Sequence, residues 1–400
     1  MRVLTVGNMY PPHSYGGYEA VWRAAVQHLR ARGHEARVLT TDTRTETHEP
    51  DDPDVHRELR WHLHGGEFAR LSAPARVRMA RHNHAVLRRH LEDMRPDAVA
   101  WWSMGGLTMT LLEDVRRRGL PAVAFVHDDW LAYGPAVDPW LRALSGPRRG
   151  RAAALAEALA HVPARVDFAH AADYVFVSDF TRRRALGLGL GIPEERTRVA
   201  HSGISEDYLR AAPPQPWGWR LLYVGRLDPR KGVEDAVRAT ALLPEATLEL
   251  IGGWDEREEQ RLRALAAELG IEARVHFSGQ RGRRDIAAAY ERCDVTVFPV
   301  RWEEPWGLVP LEAMAVGRPV VATGRGGSAE YLRDGENCVL FAAGDPEALA
   351  AAVRRLADDE PLRARLREGG LATAPEHTER HLNEAVERAL EAALERLRVR

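Results

Sequence analysis

Two glutamates and one lysine carry the first chemical signal. Residues 303–312 read EEPWGLVPLE, so Glu304 and Glu312 stand on either side of a Gly-Leu-Val step, and an apolar run, AMAVG, follows. Carboxylates accept paired hydrogen bonds from vicinal diols, which both a ribose and a hexose offer. A site that bonds a hydroxyl also discriminates against its absence. Gly307 allows a bend that turns the amides of Leu308 and Val309 toward a ligand. A helix starting near Pro310 would add its positive end. The plainer alternative is a surface loop running into a helix.

The chain holds 56 basic residues, of which Lys231 is the single lysine and all the rest are arginine. Lys231 falls in YVGRLDPRKGVEDAV (223–237), where a strand ends at Gly225, Arg226 follows, and a helix begins after Gly232. An ammonium is a compact point charge and a guanidinium a planar fork, so together they suit a diphosphate. The alternative is a solvated basic turn. Three weaker signals lie in the first half. Gly16 and Gly17 precede a helix, where bare amides approach a phosphate or a sugar, or form only a flexible turn. His127 ends a strand in FVHDDW, well placed for a sugar hydroxyl, although a lone histidine is as readily structural. Asp128–Asp129 and the DPD at 52–54 hint at a metal. The adjacent pair lacks the alternate spacing such a site needs, and DPD sits in a polar loop.

Positioning these groups requires strands whose carboxyl ends carry loops. Short apolar runs predict strands at 3–7, 36–41, 98–102, 122–127, 174–178 and 197–200. After a proline-dense linker (210–220) a second series follows at 220–225, 246–253, 273–279, 294–300, 318–323 and 338–341. Helices are expected at 19–32, 256–269, 283–292 and 376–400, with a polar loop over 43–56 and an inserted helical region over 134–166. The strands are continuous apolar runs, as parallel strands covered on both faces are. The chain therefore reads as two α/β halves, 1–203 with 376–400 and 204–375. Ligands of open parallel sheets bind beyond the carboxyl ends of the strands, and two such sheets facing each other would make one cleft.

Four hundred residues exceed one ordinary core. A net charge of −2 argues against a nucleic-acid partner held by bulk electrostatics. Cys293 and Cys338 lie in apolar runs and read as core thiols. The absence of an apolar stretch of about 18 residues, and a strand at the start, make a cytoplasmic location the expectation. Arginine clusters at 76–89, 148–151 and 182–184 suit either solvated helix faces or an anionic lipid or acidic acceptor; peripheral membrane contact is the less favoured reading.

Taken together, these residues resemble the retaining, nucleotide-sugar-dependent glycosyltransferases of the GT-B fold, in the family 4 group marked by a Glu-x7-Glu motif. Glu304 to Glu312 matches that spacing. GRLDPRKG resembles the group's Gly-Arg-Leu-x-x-x-Lys-Gly element, and PPHSYGGYEAVW and RGHEARVLTTD resemble its amino-terminal domain. AHSGIS (200–205) and GENC (335–338) depart from the usual turns. The resemblance implies two Rossmann-like domains across a cleft, an acceptor-binding one and a donor-binding one, with the last helix returning to the first. It implies that Arg226 and Lys231 hold the donor diphosphate and that Glu312 binds the ribose. Glu304, with amides from Trp306 through Gly307 and Leu308 to Val309, would hold the donor sugar. Gly16 and Gly17 would approach the diphosphate or the acceptor, His127 the reacting centre, and Gly253 and Arg281 the base. The partners implied are a nucleoside-diphosphate sugar and a hydroxyl acceptor, with no metal or other cofactor. A glycoside hydrolase, an epimerase or phosphorylase, and a non-catalytic sugar-nucleotide binder remain alternatives.

Overall fold

Runs of branched and aromatic residues too short for helices become parallel strands. We describe a computed structural model of the chain over residues 1–14, 16–45, 50, 52–64, 67–145, 150–253 and 256–398. The stretches read as 43–56, 134–166 and 376–400 each run in part outside that range, as do Arg148 and Arg149 of one arginine cluster. The chain divides into two units, Met1–His201 with Leu382–Arg400, and Ser202–His381.

The first unit is built on β1 (Arg2–Val6), β2 (Glu35–Thr41), β3 (Val55–Leu59), β4 (Leu63–His64), β5 (Glu67–Phe68), β6 (Ala98–Trp101), β7 (Ala122–Val126), β8 (Asp173–Phe176) and β9 (Thr197–Val199). Seven of these form one parallel sheet in the order β3-β2-β1-β6-β7-β8-β9, and β4 and β5 pair antiparallel apart from it. The order reverses between β1 and β6. Helices Tyr18–Ala31, Ala73–Met94 and Thr110–Arg117 cover the sheet, and Leu4, Leu39, Leu87, Val99, Trp101 and Leu112 are buried in its core. The last helix, Glu379–Arg398, buries Val386 and Leu390. Its Glu387 accepts from His28, His34 and Arg32, and Arg396 pairs with Asp173. Against burial, which raises it, the hydrogen bonds from these three side chains hold the Glu387 carboxyl down at about 2.

The second unit carries β10 (Arg220–Val224), β11 (Thr247–Ile251), β12 (Val275–Gly279), β13 (Val295–Phe298), β14 (Val320–Ala322) and β15 (Val339–Leu340). They form a parallel sheet ordered β12-β11-β10-β13-β14-β15, reversing between β10 and β13. Leu221, Leu248, Val297, Val321, Leu349 and Leu362 pack its core.

Two expectations are corrected, and one element was not anticipated. The polar stretch 43–56 was read as loop, yet β3 begins at Val55; its sequence VHREL is polar because it is an edge strand, half covered along most of its length. The β4–β5 hairpin is too short for an alternating pattern to show. The last helix starts at Glu379 rather than 376. Before it, Ala374–Glu376 forms a 3-10 turn, and the chain bridges to Ile204, whose N–H donates to the His377 carbonyl at 2.9 Å while Glu379 N–H donates to Ile204 O at 2.8 Å. Cys293 and Cys338 are buried free thiols, as read from the sequence.

Leu248 is fully buried in β11. Leu248→Ala should lower the unfolding free energy by about 2–5 kcal/mol, read from denaturant titration. A loss under about 1 kcal/mol would place this side chain outside a packed core.

Candidate functional site

In an open parallel sheet a crevice forms where the strand order reverses, because the loops leaving neighbouring strands part in opposite directions. In the second unit that point lies between β10 and β13. Arg226 and Lys231 follow β10, and Glu304 follows β13, so topology alone delivers the three sequence-predicted groups to one place.

Local geometry makes the two loops abut. Gly232 has φ +68°, and a Cβ there would fall 1.8 Å from Pro299 O, so no side chain fits. Asp228 caps the turn Pro229–Lys231 by accepting from Arg230 N–H at 2.9 Å. Arg301 N–H donates to Arg230 O at 2.8 Å, and the Arg301 guanidinium pairs with Asp235. The outcome is a direct ion pair: Lys231 Nζ donates to Glu304 Oε2 at 2.6 Å. Trp302 Nε1 donates to the same oxygen at 2.7 Å, and Lys231 Nζ lies 5.2 Å from the Trp302 ring centroid. The Arg230 guanidinium carbon sits 4.9 Å from that centroid. Arg226 lies partly buried just after Gly225, its carbonyl accepting from Tyr223 OH at 2.7 Å.

Glu304 is further fixed through its main chain. Its carbonyl accepts from Gly327 N–H at 2.7 Å, and Gly326 packs so closely that a Cβ would meet that oxygen at 2.3 Å. Arg325, beside them, pairs with Glu303. The bend at Gly307 has φ +90°, and Tyr331 OH donates to its carbonyl. Trp306 is buried, its ring 5.2 Å from His377 and 5.0 Å from Tyr331. Leu308 and Val309 open the helix Val309–Val316, whose first amides have no intrahelical acceptor. Glu312 stands in its first turn and accepts from Tyr290 OH at 2.8 Å; burial raises its pKa. Gly253 lies beyond β11, its Cα facing Gln280, and Arg281 is exposed beyond β12.

In the first unit the reversal between β1 and β6 organises a second group. Gly7 leaves room for Trp22 and Trp102, and Asn8 Nδ2 donates to Ser103 Oγ at 3.0 Å. Gly17 caps the helix Tyr18–Ala31, and Gly16 N–H donates to Glu19 Oε2 at 3.1 Å, so a carboxylate already occupies that amide. His127 follows β7 with its ring 5.4 Å from Tyr18 and 5.7 Å from Trp102. Burial pushes its imidazole down to about 3. Asp128 is pushed up to about 6 by burial while it accepts from Tyr133 OH at 3.0 Å and Trp130 N–H at 3.1 Å. Asp129 pairs with Arg184 at 3.0 Å, and Asp52 with Arg30 at 2.8 Å. Both acidic pairs weighed as metal ligands are thus engaged within the protein. Among the described residues, two other clusters could hold a metal, His56–Glu58–His90 and His34–Glu387–Glu391; both lie in the first unit and include none of the predicted site residues. Arg182 and Arg183 of one arginine cluster are bound to Asp179.

Sequence reasoning missed Trp302, Tyr290 and the Arg325–Gly327 segment. Trp302 was legible as a neighbour of Glu303 and Glu304. Nothing local marks Tyr290, which lies in another helix and meets Glu312 only through folding.

Residues 15–208 match the model described as Glycosyltransferase Family 4, and residues 212–373 match Glycosyl transferases group 1. A D-inositol 3-phosphate glycosyltransferase of Acidothermus cellulolyticus is 35% identical over 247 residues, covering 56% of this chain and 55% of the relative. The chain spans about half the length of the first curated relatives it matches. Among solved structures, sucrose-phosphate synthase from Thermosynechococcus elongatus superposes with TM-score 0.73 at 21% identity, covering 98% of this chain and 99% of that one. Anabaena HepE in complex with UDP and glucose gives 0.69 at 20% identity, with 98% and 99% covered. With one family model over most of each unit and the GT-B architecture in both sheets, the chain belongs to the family 4 glycosyltransferases of the GT-B fold.

Proposed function

We propose that the protein transfers a hexosyl unit from a nucleoside-diphosphate sugar, UDP- or GDP-linked, to an acceptor hydroxyl with retention at the anomeric carbon. The observation that carries this reading is the Lys231–Glu304 pair at the β10–β13 reversal. A cation already desolvated and oriented there costs little reorganisation when charge builds on a leaving diphosphate, which is the kind of stabilisation that dominates such sites. The names of the similar proteins support the substrate class: one acts on an inositol phosphate, and HepE holds UDP and glucose.

On this reading the donor diphosphate meets Lys231 and Arg226. Its sugar lies against Glu304 and the amides of the Trp306–Val309 bend, and the ribose hydroxyls against Glu312. Gly253 and Arg281 flank the base. The bond from the anomeric carbon to the phosphate oxygen breaks, and its electron pair leaves with the diphosphate. The acceptor oxygen attacks on the same face, and its proton passes to the departing phosphate oxygen. Two cations supply the positive charge, so no metal is required. His127 is neutral with its low pKa and offers a hydrogen-bonding group rather than a cation.

A thermal-shift screen of UDP, GDP and ADP should find one nucleoside diphosphate that stabilises the chain clearly. Glu312→Ala should weaken that ligand about tenfold or more; unchanged affinity would remove the ribose assignment. Lys231→Arg keeps the charge but not the compact ammonium beneath Trp302, and should cut turnover by about a hundredfold. Near-normal turnover would contradict the special role of the lysine. His127 has a folded pKa of about 3 against 6.5 unperturbed. Its neutral burial is therefore fully stabilising above pH 6.5 and is lost as pH falls toward 3. Between pH 7.5 and 5, His127→Gln should lose about 2 kcal/mol less stability than the parent. Equal losses would mean that the imidazole is not held neutral by burial.

A further inference from the structure

Apart from the donor site, one cluster of metal-ligating side chains is held in a defined geometry by the fold of the first unit. His56 and Glu58 stand two residues apart in β3, so both point to one face of the strand. Arg57 between them points to the other face, where its guanidinium donates to the carbonyls of Tyr10 and Pro11 at 3.0 Å. His90 arrives from the helix Ala73–Met94. His82 of the same helix places its Nε2 2.9 Å from the Glu58 carbonyl oxygen and so ties the helix to the strand at that point.

Both imidazoles converge on a single carboxylate oxygen. His56 Nδ1 stands 3.4 Å and His90 Nε2 3.3 Å from Glu58 Oε1, and the two ring centroids are 4.7 Å apart. The three residues offer ligand atoms that all lie within 4.8 Å of one another. A hydrogen bond from a charged imidazole to a carboxylate closes to about 2.7–2.9 Å, so neither contact is a tight ion pair. Ligand atoms about 2.0–2.1 Å from a tetrahedral zinc stand about 3.3–3.4 Å from one another, which is the spacing of both contacts. Arg89 donates to the other carboxylate oxygen, Oε2, and so orients Oε1 as the outer partners of ligating carboxylates do. His90 is buried, and its Nδ1 makes no hydrogen bond among the described residues. A ring buried for structure alone normally has its nitrogens satisfied. The side chains of His56 and Glu58 remain 35% and 34% exposed, which leaves an ion a path to the shared oxygen.

We propose that His56, Glu58 and His90 bind a zinc(II) ion through Nδ1, Oε1 and Nε2, with water as the fourth ligand. Two imidazoles and one carboxylate suit zinc, whereas magnesium and calcium require a shell of oxygens. The ion is structural. It pins β3, an edge strand paired on one side only, to the helix that covers it. The site shares no residue with the donor site, and it stands whether or not the transferase reading holds.

The test uses the full chain, stripped with a chelator and dialysed. Competition against a chromophoric zinc indicator should find one equivalent bound with a dissociation constant of about 10 μM or tighter. Cobalt(II) in its place should give the strong visible absorption of a tetrahedral site, and zinc should bleach it. That spectrum is read on the parent chain and needs no variant to fold. His56→Asn, a change at a partly exposed side chain, should weaken zinc at least about tenfold. It should also abolish the rise in melting temperature that zinc gives the parent. His34→Asn, which breaks the cluster of His34, Glu387 and Glu391, should leave both readouts unchanged. A parent chain without a tight equivalent, a cobalt spectrum of the weak octahedral kind, or zinc affinity unchanged in His56→Asn overturns the proposal. Loss of zinc in His34→Asn but not in His56→Asn overturns it too, because the ion then sits in the other cluster.

Discussion

A single contact, Lys231 Nζ to Glu304 Oε2 at 2.6 Å, ties the loop leaving β10 to the loop leaving β13. Nearly everything distinctive in the second unit serves it. Gly232 brings the two loops within backbone contact of Pro299, and Gly326 lets a third segment close on the Glu304 carbonyl. Trp302 shares the carboxylate oxygen and lies near both Lys231 and Arg230. The ammonium is mostly withdrawn from water, with 15% of its side chain exposed, and its partner keeps 11%. An isolated buried charge is costly, and removing one partner of such a pair strands the other. The glutamate therefore has two consequences: it offsets the cost of burying the cation, and it holds the cation at one spot.

A ligand bearing a diphosphate changes that balance. The ammonium has three donors and uses one on Glu304, so two remain for phosphate oxygens without breaking the pair. Glu304 in turn keeps an oxygen not used by Lys231 or Trp302, available to a sugar hydroxyl. The sequence-level division into a diphosphate lysine and a sugar-binding glutamate is thus better described as one coupled unit. Glu312 differs. It faces Tyr290 rather than a cation, and burial raises its pKa, so its carboxylate is a strong acceptor for a ligand hydroxyl once ionised.

How much of this could be read from the residues depends on where the information lies. Both parallel sheets were legible, because strands covered on both faces must be continuous apolar runs, as in β7 and β13. β3 was not, because an edge strand tolerates the histidine, arginine and glutamate of VHREL. The helix boundary near 376 was misplaced by three residues, since the bridge from Thr378 to Ile204 is a long-range interaction with no local signature. In the site, Lys231 was visible by its rarity and Glu304 and Glu312 by their spacing. The pairing of Lys231 with Glu304 spans 73 positions and follows only from the strand order, which no local pattern contains.

The central claim is that Lys231, held by Glu304 and Trp302, is the cation that meets the diphosphate. The most direct measurement is the affinity of the best nucleoside diphosphate relative to its bare nucleoside, in the parent and in Lys231→Met. The account predicts that the parent prefers the diphosphate by about a hundredfold or more, and that the variant loses most of that preference while binding the nucleoside as before. An undiminished preference in Lys231→Met would contradict it.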